Sequence, residues 1–172
     1  ASHPLWSPTP DVLVVWTRPE SISSAFGNLL NGLSVSEQDV RQETLQFVDL
    51  VAARLATCRT LLLPFWTVAP YRRGLGVSDW RKGGLGRMLH IMNDVLIEQL
   101  ADHPGVFLVS TDQFLAQQVP GTADKFWYAA KTPFPATTYA AVSESIQTVL
   151  RTTAGRSRKL LLLDLDDTLW GG

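Results

Sequence analysis

The sequence has few features that indicate an oxidising compartment, a membrane or a nucleic-acid partner. It contains a single cysteine, Cys58, so no internal disulfide can form, and a cytoplasmic location is expected. Its longest apolar runs, such as 61–66 and 160–163, are far shorter than the roughly 20 residues that cross a bilayer, so no membrane association is predicted. The formal net charge is -1, which provides no overall basic field for nucleic acid, so no nucleic-acid partner is predicted either.

The composition and the order of apolar segments predict a folded α/β protein. Hydrophobic residues make up 45% of the chain and charged residues 18%, as in globular domains. Short apolar runs predict strands at 11–17, 60–65, 106–110 and 159–165. Amphipathic spacing predicts helices at 34–58, 88–101, 111–118 and 136–153, with Ser34 and Glu37 as a capping box for the first. This alternation predicts a three-layer α/β/α fold around a parallel sheet.

In a parallel sheet of this kind, ligands bind beyond the carboxyl ends of the strands. The residues that follow the first three predicted strands are therefore candidates for a site: Trp16, Thr17 and Arg18, then Trp66 and Thr67, then Ser110 and Asp112. A loop at 71–87 combines five glycines with five basic residues, a composition suited to phosphate or pantetheine-phosphate binding, or alternatively to a solvated connection.

The end of the sequence, Lys159 to Gly172, reads KLLLLDLDDTLWGG and carries the strongest motif. An apolar strand runs into Asp164 and Asp166, whose carboxyl groups both project where the strand ends. Two carboxylates placed together need a cation or a shared proton between them. One can act as a nucleophile on phosphorus, the other as general acid and base, with Mg²⁺ neutralising the cluster.

The string DLDDTLWGG closely resembles the first motif of the haloacid dehalogenase superfamily, and its TLWGG extension resembles the FkbH-like branch. The resemblance implies that Asp164 is the catalytic nucleophile and Asp166 the catalytic acid/base. It also implies that the Asp164 carboxylate and the Asp166 main-chain carbonyl hold Mg²⁺. FkbH-like proteins take a glyceryl group from an acyl phosphate donor, 1,3-bisphosphoglycerate, and load it on the thiol of an acyl carrier protein in polyketide and related pathways.

The same resemblance divides the chain into two parts. Residues 1–155 are expected to form an SGNH-hydrolase-like (flavodoxin-like) α/β domain whose first strand lies upstream of residue 1. Residues 156–172 are expected to be a linker and the start of a haloacid dehalogenase-like domain. The later motifs of that superfamily are not in these 172 residues, so the isolated chain is expected to be inactive and to need no cofactor, with Mg²⁺ required in the full-length parent.

The expected SGNH-like domain departs from active SGNH hydrolases. The sequence has no GDS serine motif. The GxND position holds Trp16-Thr-Arg-Pro-Glu20, which has no asparagine for an oxyanion hole, and the DxxH position holds Asp124-Lys-Phe-Trp127, which has no histidine base. A domain that binds or docks without chemistry is the favoured interpretation. An active SGNH-type esterase or acyltransferase with a divergent site is the alternative.

The predicted binding residues combine aromatic rings at the sheet edge with nearby cations: Trp16, Arg18, Trp66, Arg72, Arg73, Trp127 and Lys131. The three tryptophans are expected to converge into a pocket for a pantetheine arm or an acyl phosphate, although packing against the protein's own helices is the alternative. The expected partners are an acyl carrier protein, an acyl phosphate donor and the following haloacid dehalogenase-like domain. His90 with Asp94, His103 at a helix end, and Cys58 are predicted to be structural.

Overall fold

The computed structural model of this protein describes residues 10–67, 79–111, 114 and 134–155. Within these ranges, three short parallel strands form a sheet. The strands are β1 (Val12–Val14), β2 (Thr60–Pro64) and β3 (Val106–Val109), in the order β1-β2-β3. Val12 lies opposite Thr60, and Leu61 lies opposite Val106. The predicted α/β class with a parallel sheet is therefore confirmed.

β2 occupies the middle of the sheet because its side chains are apolar on both faces. All five of its residues are buried. Successive side chains of a strand point to opposite faces, so Leu61 and Leu63 enter one core cluster and Leu62 enters another. A strand that is apolar in continuous sequence, rather than in alternation, is typical of a parallel sheet covered on both sides.

Helices cover both faces of this sheet. They are α1 (Pro19–Ile22), α2 (Ser24–Leu30), α3 (Glu37–Ala52) with a 3-10 turn at Ala53–Ala56, α4 (Leu85–Leu100) and α5 (Ala136–Thr153). Val40 of α3 and Met92 of α4 pack with Leu61 and Leu63, whereas Val142 of α5 packs with Leu62. We call the side of α3 and α4 the first face and the side of α5 the second face.

A half-buried carboxylate joins α2 to α3. Glu43 of α3 accepts hydrogen bonds from the Ser23 hydroxyl (2.6 Å), the Ser24 hydroxyl and the main-chain N–H of Ala25 (3.0 Å). Burial by itself raises the pKa of Glu43, but these hydrogen bonds outweigh it and hold the pKa below its ordinary value of 4.5. The N-terminus of α2, which also attracts negative charge, is therefore fixed against α3.

The start of α3 differs from the prediction. Ser36, not Ser34, caps the helix, and its hydroxyl accepts from the main-chain N–H of Asp39 at 3.0 Å. The predicted capping box of Ser34 and Glu37 is wrong because Ser36 is the N-cap, which makes Glu37 the first helical residue and not the third. Its carboxylate instead binds the Arg87 guanidinium at 2.7 Å, which lowers the pKa of Glu37 through that hydrogen bond.

The other helix predictions vary in accuracy. α5 spans 136–153 as predicted, whereas α4 begins at Leu85 instead of 88 because Gly84 has the extended backbone of an N-cap. α1 and α2 were not predicted. Most of the helix predicted at 111–118 lies outside the described residues, which include only 111 and 114 of that range. The strand predicted at 159–165 also lies outside them. Cys58 is buried in the first-face core, as expected.

Candidate functional site at the carboxyl edge of the sheet

The carboxyl ends of the three strands meet at one edge of the sheet, because all three strands are parallel. The chain leaves β1 through 15–18, β2 through 65–67 and β3 through 110–111. Thr111 joins two of these exits, since its hydroxyl donates to the Phe65 carbonyl at 3.1 Å. This is the edge at which ligands bind in parallel α/β sheets, and the sequence predicted a site here.

A cavity of about 110 Å³ opens at this edge, beside the exit of β1. The described residues that line it are Trp16, Thr17, Arg18, Pro19, Glu20, Thr67, Phe134 and Tyr139. Sites for drug-sized ligands measure roughly 300–1,000 Å³, so this cavity takes only one end of a ligand. A water occupies roughly 30 Å³ of liquid, so the space suits about four non-hydrogen atoms.

Three aromatic rings build the apolar wall of the cavity. Trp16 stacks on Phe134, with ring centroids 5.5 Å apart and planes at 19°, and meets Tyr139 edge-on at 5.3 Å. Phe134 and Tyr139 are also in edge contact, at 6.1 Å. Such contacts stabilise the rings beyond their buried area, so the wall is preformed. Trp16 thus lies where the sequence predicted a binding aromatic residue.

Tyr139 adds a hydroxyl group to this aromatic wall. Burial raises its pKa, and a hydrogen bond from the main chain of Phe134 lowers the pKa by less than burial raises it. The phenol is therefore protonated at neutral pH and available as a donor.

Arg18 and Glu20 supply charge at the mouth of the cavity. The guanidinium of Arg18 and the carboxylate of Glu20 are 3.7 Å apart, with the arginine side chain 43% exposed. A half-exposed ion pair at this distance contributes at most about 1 kcal/mol. Arg18 therefore lies in the predicted position beside Trp16.

Trp66 has a different environment from Trp16. It is only 3% exposed and lies in the first-face core, with its ring 5.4 Å from that of Phe47. Its indole N–H donates to the Thr17 hydroxyl at 3.0 Å. The side chain of Asn93, on α4, binds both the main-chain N–H and the carbonyl of Trp66, each at 3.0 Å.

Trp16 and Trp66 thus follow adjacent strands, as predicted, but their rings lie on opposite faces of the sheet. Trp66 does not line the cavity and is connected to it by the hydrogen bond to Thr17. For Trp66 the structure therefore favours the alternative interpretation, in which the ring packs within the protein.

The remaining predicted site residues lie outside the described ranges. They are Arg72, Arg73, Trp127, Lys131, Asp164 and Asp166, together with Asp112 of the candidates at strand ends. Sequence reasoning missed Phe134, Tyr139 and Asn93. Phe134 and Tyr139 flank the start of α5, and only the tertiary fold brings them to Trp16. The sequence gives only a weak indication that Asn93 is important, which is its polar side chain between Met92 and Val95 on the buried side of a helix.

The described histidines lie away from the cavity. His90 pairs with Asp94 at 3.4 Å, as predicted, and its ring meets the exposed Trp80 edge-on. His103 precedes β3 at the opposite, amino edge of the sheet, where its Nδ1 accepts from the main-chain N–H of Gly105 at 3.2 Å. Of the described residues that line the cavity, none is a histidine or a cysteine.

Two further searches concern only the described part of the chain. No cluster of three or more histidine, cysteine, aspartate or glutamate side chains suited to holding a metal ion occurs there. Over the same ranges, no helix is both long and apolar enough to cross a membrane.

Comparison of the chain with protein-family models, with curated proteins and with solved structures finds no match.

Proposed function

We propose that this chain is the SGNH-hydrolase-like part of an FkbH-like protein. In this proposal the domain binds the acyl end of a ligand that is passed to a carrier protein and performs no chemistry itself. The observation that carries the proposal is the cavity at the carboxyl edge, where the rings of Trp16, Phe134 and Tyr139 stand beside the cation of Arg18. An apolar wall with a cation at its mouth suits a short acyl group that bears oxygen or phosphate.

The size of the cavity supports an acyl end rather than a whole ligand. About four non-hydrogen atoms fit, so only part of a glyceryl group, which has three carbons and three oxygens, would enter the cavity. The pantetheine arm or the phosphate would then lie outside the cavity, near Arg18.

The chemistry in this proposal belongs to the DLDDTLWGG segment. By resemblance, Asp164 would attack phosphorus and take the phosphoryl group, while the bond from phosphorus to the leaving oxygen breaks and Asp166 gives that oxygen a proton. Mg²⁺ would be held by the Asp164 carboxylate and the Asp166 carbonyl in the full-length parent and would neutralise charge there. A cytoplasmic location and a carrier-protein partner remain parts of the same proposal.

The alternative function, an SGNH-type esterase or acyltransferase, has less support. Such an enzyme needs a nucleophile and a histidine base within hydrogen-bond reach of each other. The hydroxyl groups on the described wall of the cavity belong to Thr17, Thr67 and Tyr139, and neither His90 nor His103 lies beside them. Covalent labelling of a single serine by a fluorophosphonate probe would favour the alternative.

Binding of a loaded carrier protein tests the proposed function. We expect the chain to bind a carrier protein that bears a glyceryl thioester more tightly than the same carrier with a free pantetheine thiol, as measured by calorimetry. Replacing Trp16 by alanine removes the central ring of the wall and should weaken binding of the loaded carrier roughly tenfold or more.

Trp80→Ala is the matched control, because Trp80 is 66% exposed and does not line the cavity. Its affinity should equal that of the wild type. Arg18→Gln provides a second probe of the cavity that leaves the aromatic wall in place. Equal affinity for loaded and unloaded carrier, unchanged in both cavity variants, would contradict the proposed function.

A further inference from the structure

Thr17 is the polar side chain that connects the cavity to the rigid core of the first face. It lines the cavity, and its oxygen accepts the indole N–H of Trp66 at 3.0 Å. A threonine hydroxyl has one hydrogen and two lone pairs. Since the indole occupies a lone pair, the hydrogen of Thr17 must point elsewhere. No acceptor for that hydrogen occurs among the described residues.

Trp66 cannot turn away to release Thr17. Its ring is buried against Phe47, and Asn93 holds both main-chain polar groups of the residue at 3.0 Å. Moving the indole would leave its buried N–H without a partner, which costs about 1–3 kcal/mol. The acceptor role of Thr17 toward Trp66 is therefore fixed, and the hydrogen of its hydroxyl is the group through which Thr17 can donate to a ligand.

The cavity also holds further donors, beside the carboxylate of Glu20 and the hydroxyl of Thr67. Arg18 can only donate, and the phenol of Tyr139, whose pKa is raised by burial, keeps its hydrogen at neutral pH. The carboxylate of Glu20 is paired with Arg18. A ligand end that enters the cavity thus meets donors from Thr17, Arg18 and Tyr139 above an apolar wall.

We propose that Thr17 is a specificity-determining residue that donates to an oxygen acceptor of the ligand, with Trp66 and Asn93 as its positioning residues. The part of the ligand that enters the cavity is a carboxylate or acyl end of about four non-hydrogen atoms. This inference rests on the proposed function, because it names the chemical class that the same cavity selects.

The experiment compares glycerate with aminopropanediol, which keeps the carbon skeleton but replaces the carboxylate by an aminomethyl group. Binding is followed by ¹H–¹⁵N spectra of the tryptophan indoles, and the Trp66 signal is assigned with Trp66→Phe. When Thr17 donates to glycerate, its oxygen becomes a stronger acceptor, because hydrogen bonds in a chain polarise one another. The indole signal of Trp66 should then shift downfield on addition of glycerate and stay unchanged with aminopropanediol.

Two variants of Thr17 separate the hydroxyl group from the shape of the side chain. Thr17→Val keeps the shape and should weaken glycerate binding roughly ten- to hundredfold, the loss of a hydrogen bond to a charged group. Thr17→Ser keeps the hydroxyl and should retain binding within roughly threefold of the wild type. If Thr17→Val does not fold, the serine variant and the Trp66 signal of the wild type carry the test.

The outcomes distinguish this inference from the proposed function. Glycerate binding that is unaffected by Thr17→Val, or equal binding of aminopropanediol, would overturn the role of Thr17 and leave the cavity as an acyl site. A wild-type chain that binds neither glycerate nor the loaded carrier protein would overturn both.

Discussion

The two faces of the sheet are stabilised in different ways. On the first face, α3 and α4 pack over Leu61 and Leu63. Half-buried polar side chains add hydrogen bonds there, between Asn93 and the main chain of Trp66 and between Glu43 and the start of α2. On the second face, α5 packs over Leu62, and the hydroxyl groups of its C-terminal half bind the main chain of α5 itself.

The cavity lies where these two environments meet. Its aromatic wall of Trp16, Phe134 and Tyr139 comes from the side of α5, and Thr17 is held by a residue of the first face. The first face therefore fixes the direction of the hydrogen bond from Trp66 to Thr17, while the second face supplies the apolar surface that a ligand would contact.

The largest expected effect comes from two neighbouring leucines that point to opposite faces. Leu61 and Leu62 are both 0% exposed, so replacing either by alanine removes the same atoms from a fully buried site. The cost should lie within about 2–5 kcal/mol for both, with Leu61→Ala nearer the upper limit, because α3 and α4 are tied together and cannot close the space left behind.

Denaturant unfolding of the two leucine variants measures this difference, and the wild type provides the reference free energy of unfolding. A larger loss for Leu62→Ala would mean that the second face is the more tightly packed of the two.

A change at Glu43 should have a smaller and pH-dependent effect. The pKa of Glu43 is lowered in the folded protein, so its hydrogen bonds stabilise the fold above the ordinary pKa of 4.5 and this contribution is lost as pH falls through the lower, folded value. Glu43→Gln should therefore reduce the free energy of unfolding by about 1 kcal/mol at neutral pH, because charge-assisted hydrogen bonds to Ser23 and Ser24 are weakened.

The pH dependence distinguishes this role from simple packing. The stabilities of wild type and Glu43→Gln should converge as the pH is lowered from about 6 to 3, measured by thermal unfolding across that range. A constant difference at every pH would show that the carboxylate charge does not hold α2 against α3. Glu98→Gln, on the exposed end of α4 in an ion pair with Arg41, is a matched control that should change little.

The smallest expected effect concerns the cap of α3. Ser36→Ala removes the side-chain acceptor for the Asp39 N–H and should cost about 0.5–1 kcal/mol, whereas Ser34→Ala should leave the free energy of unfolding unchanged. Urea unfolding of the two alanine variants provides the measurement. By contrast, the N-cap of α5 is Pro135, which makes no side-chain cap hydrogen bond. A loss of stability for Ser34→Ala and none for Ser36→Ala would place the helix start where the capping-box pattern predicted it.

The sequence predicts those parts of the fold that depend on neighbouring residues. The apolar runs identify all three described strands, and Pro135 and Gly155 mark the limits of α5. The start of α3 was misplaced because Ser34 and Ser36 both fit a cap, and only the pairing of Glu37 with Arg87, 50 positions away, decides between them.

The site follows the same division. Its place at the carboxyl edge, with Trp16 and Arg18 beside β1, was predictable because parallel strands end at a common edge. The bonds of Trp66 to Asn93 and Thr17 join residues 27 and 49 positions apart, and no spacing in the sequence indicates them. Single-residue patterns therefore locate the cavity but do not show which tryptophan lines it.

The parallel pairing of the strands has a consequence for how the chain folds. Val12 pairs with Thr60 and Leu61 with Val106, so the two described strand pairs join residues 48 and 45 positions apart, and neither pair is a local hairpin. The entropy of closing these long loops must be lost before β2 gains either neighbour. Until then its three consecutive leucines remain exposed, so refolding should be slow and prone to aggregation at high protein concentration.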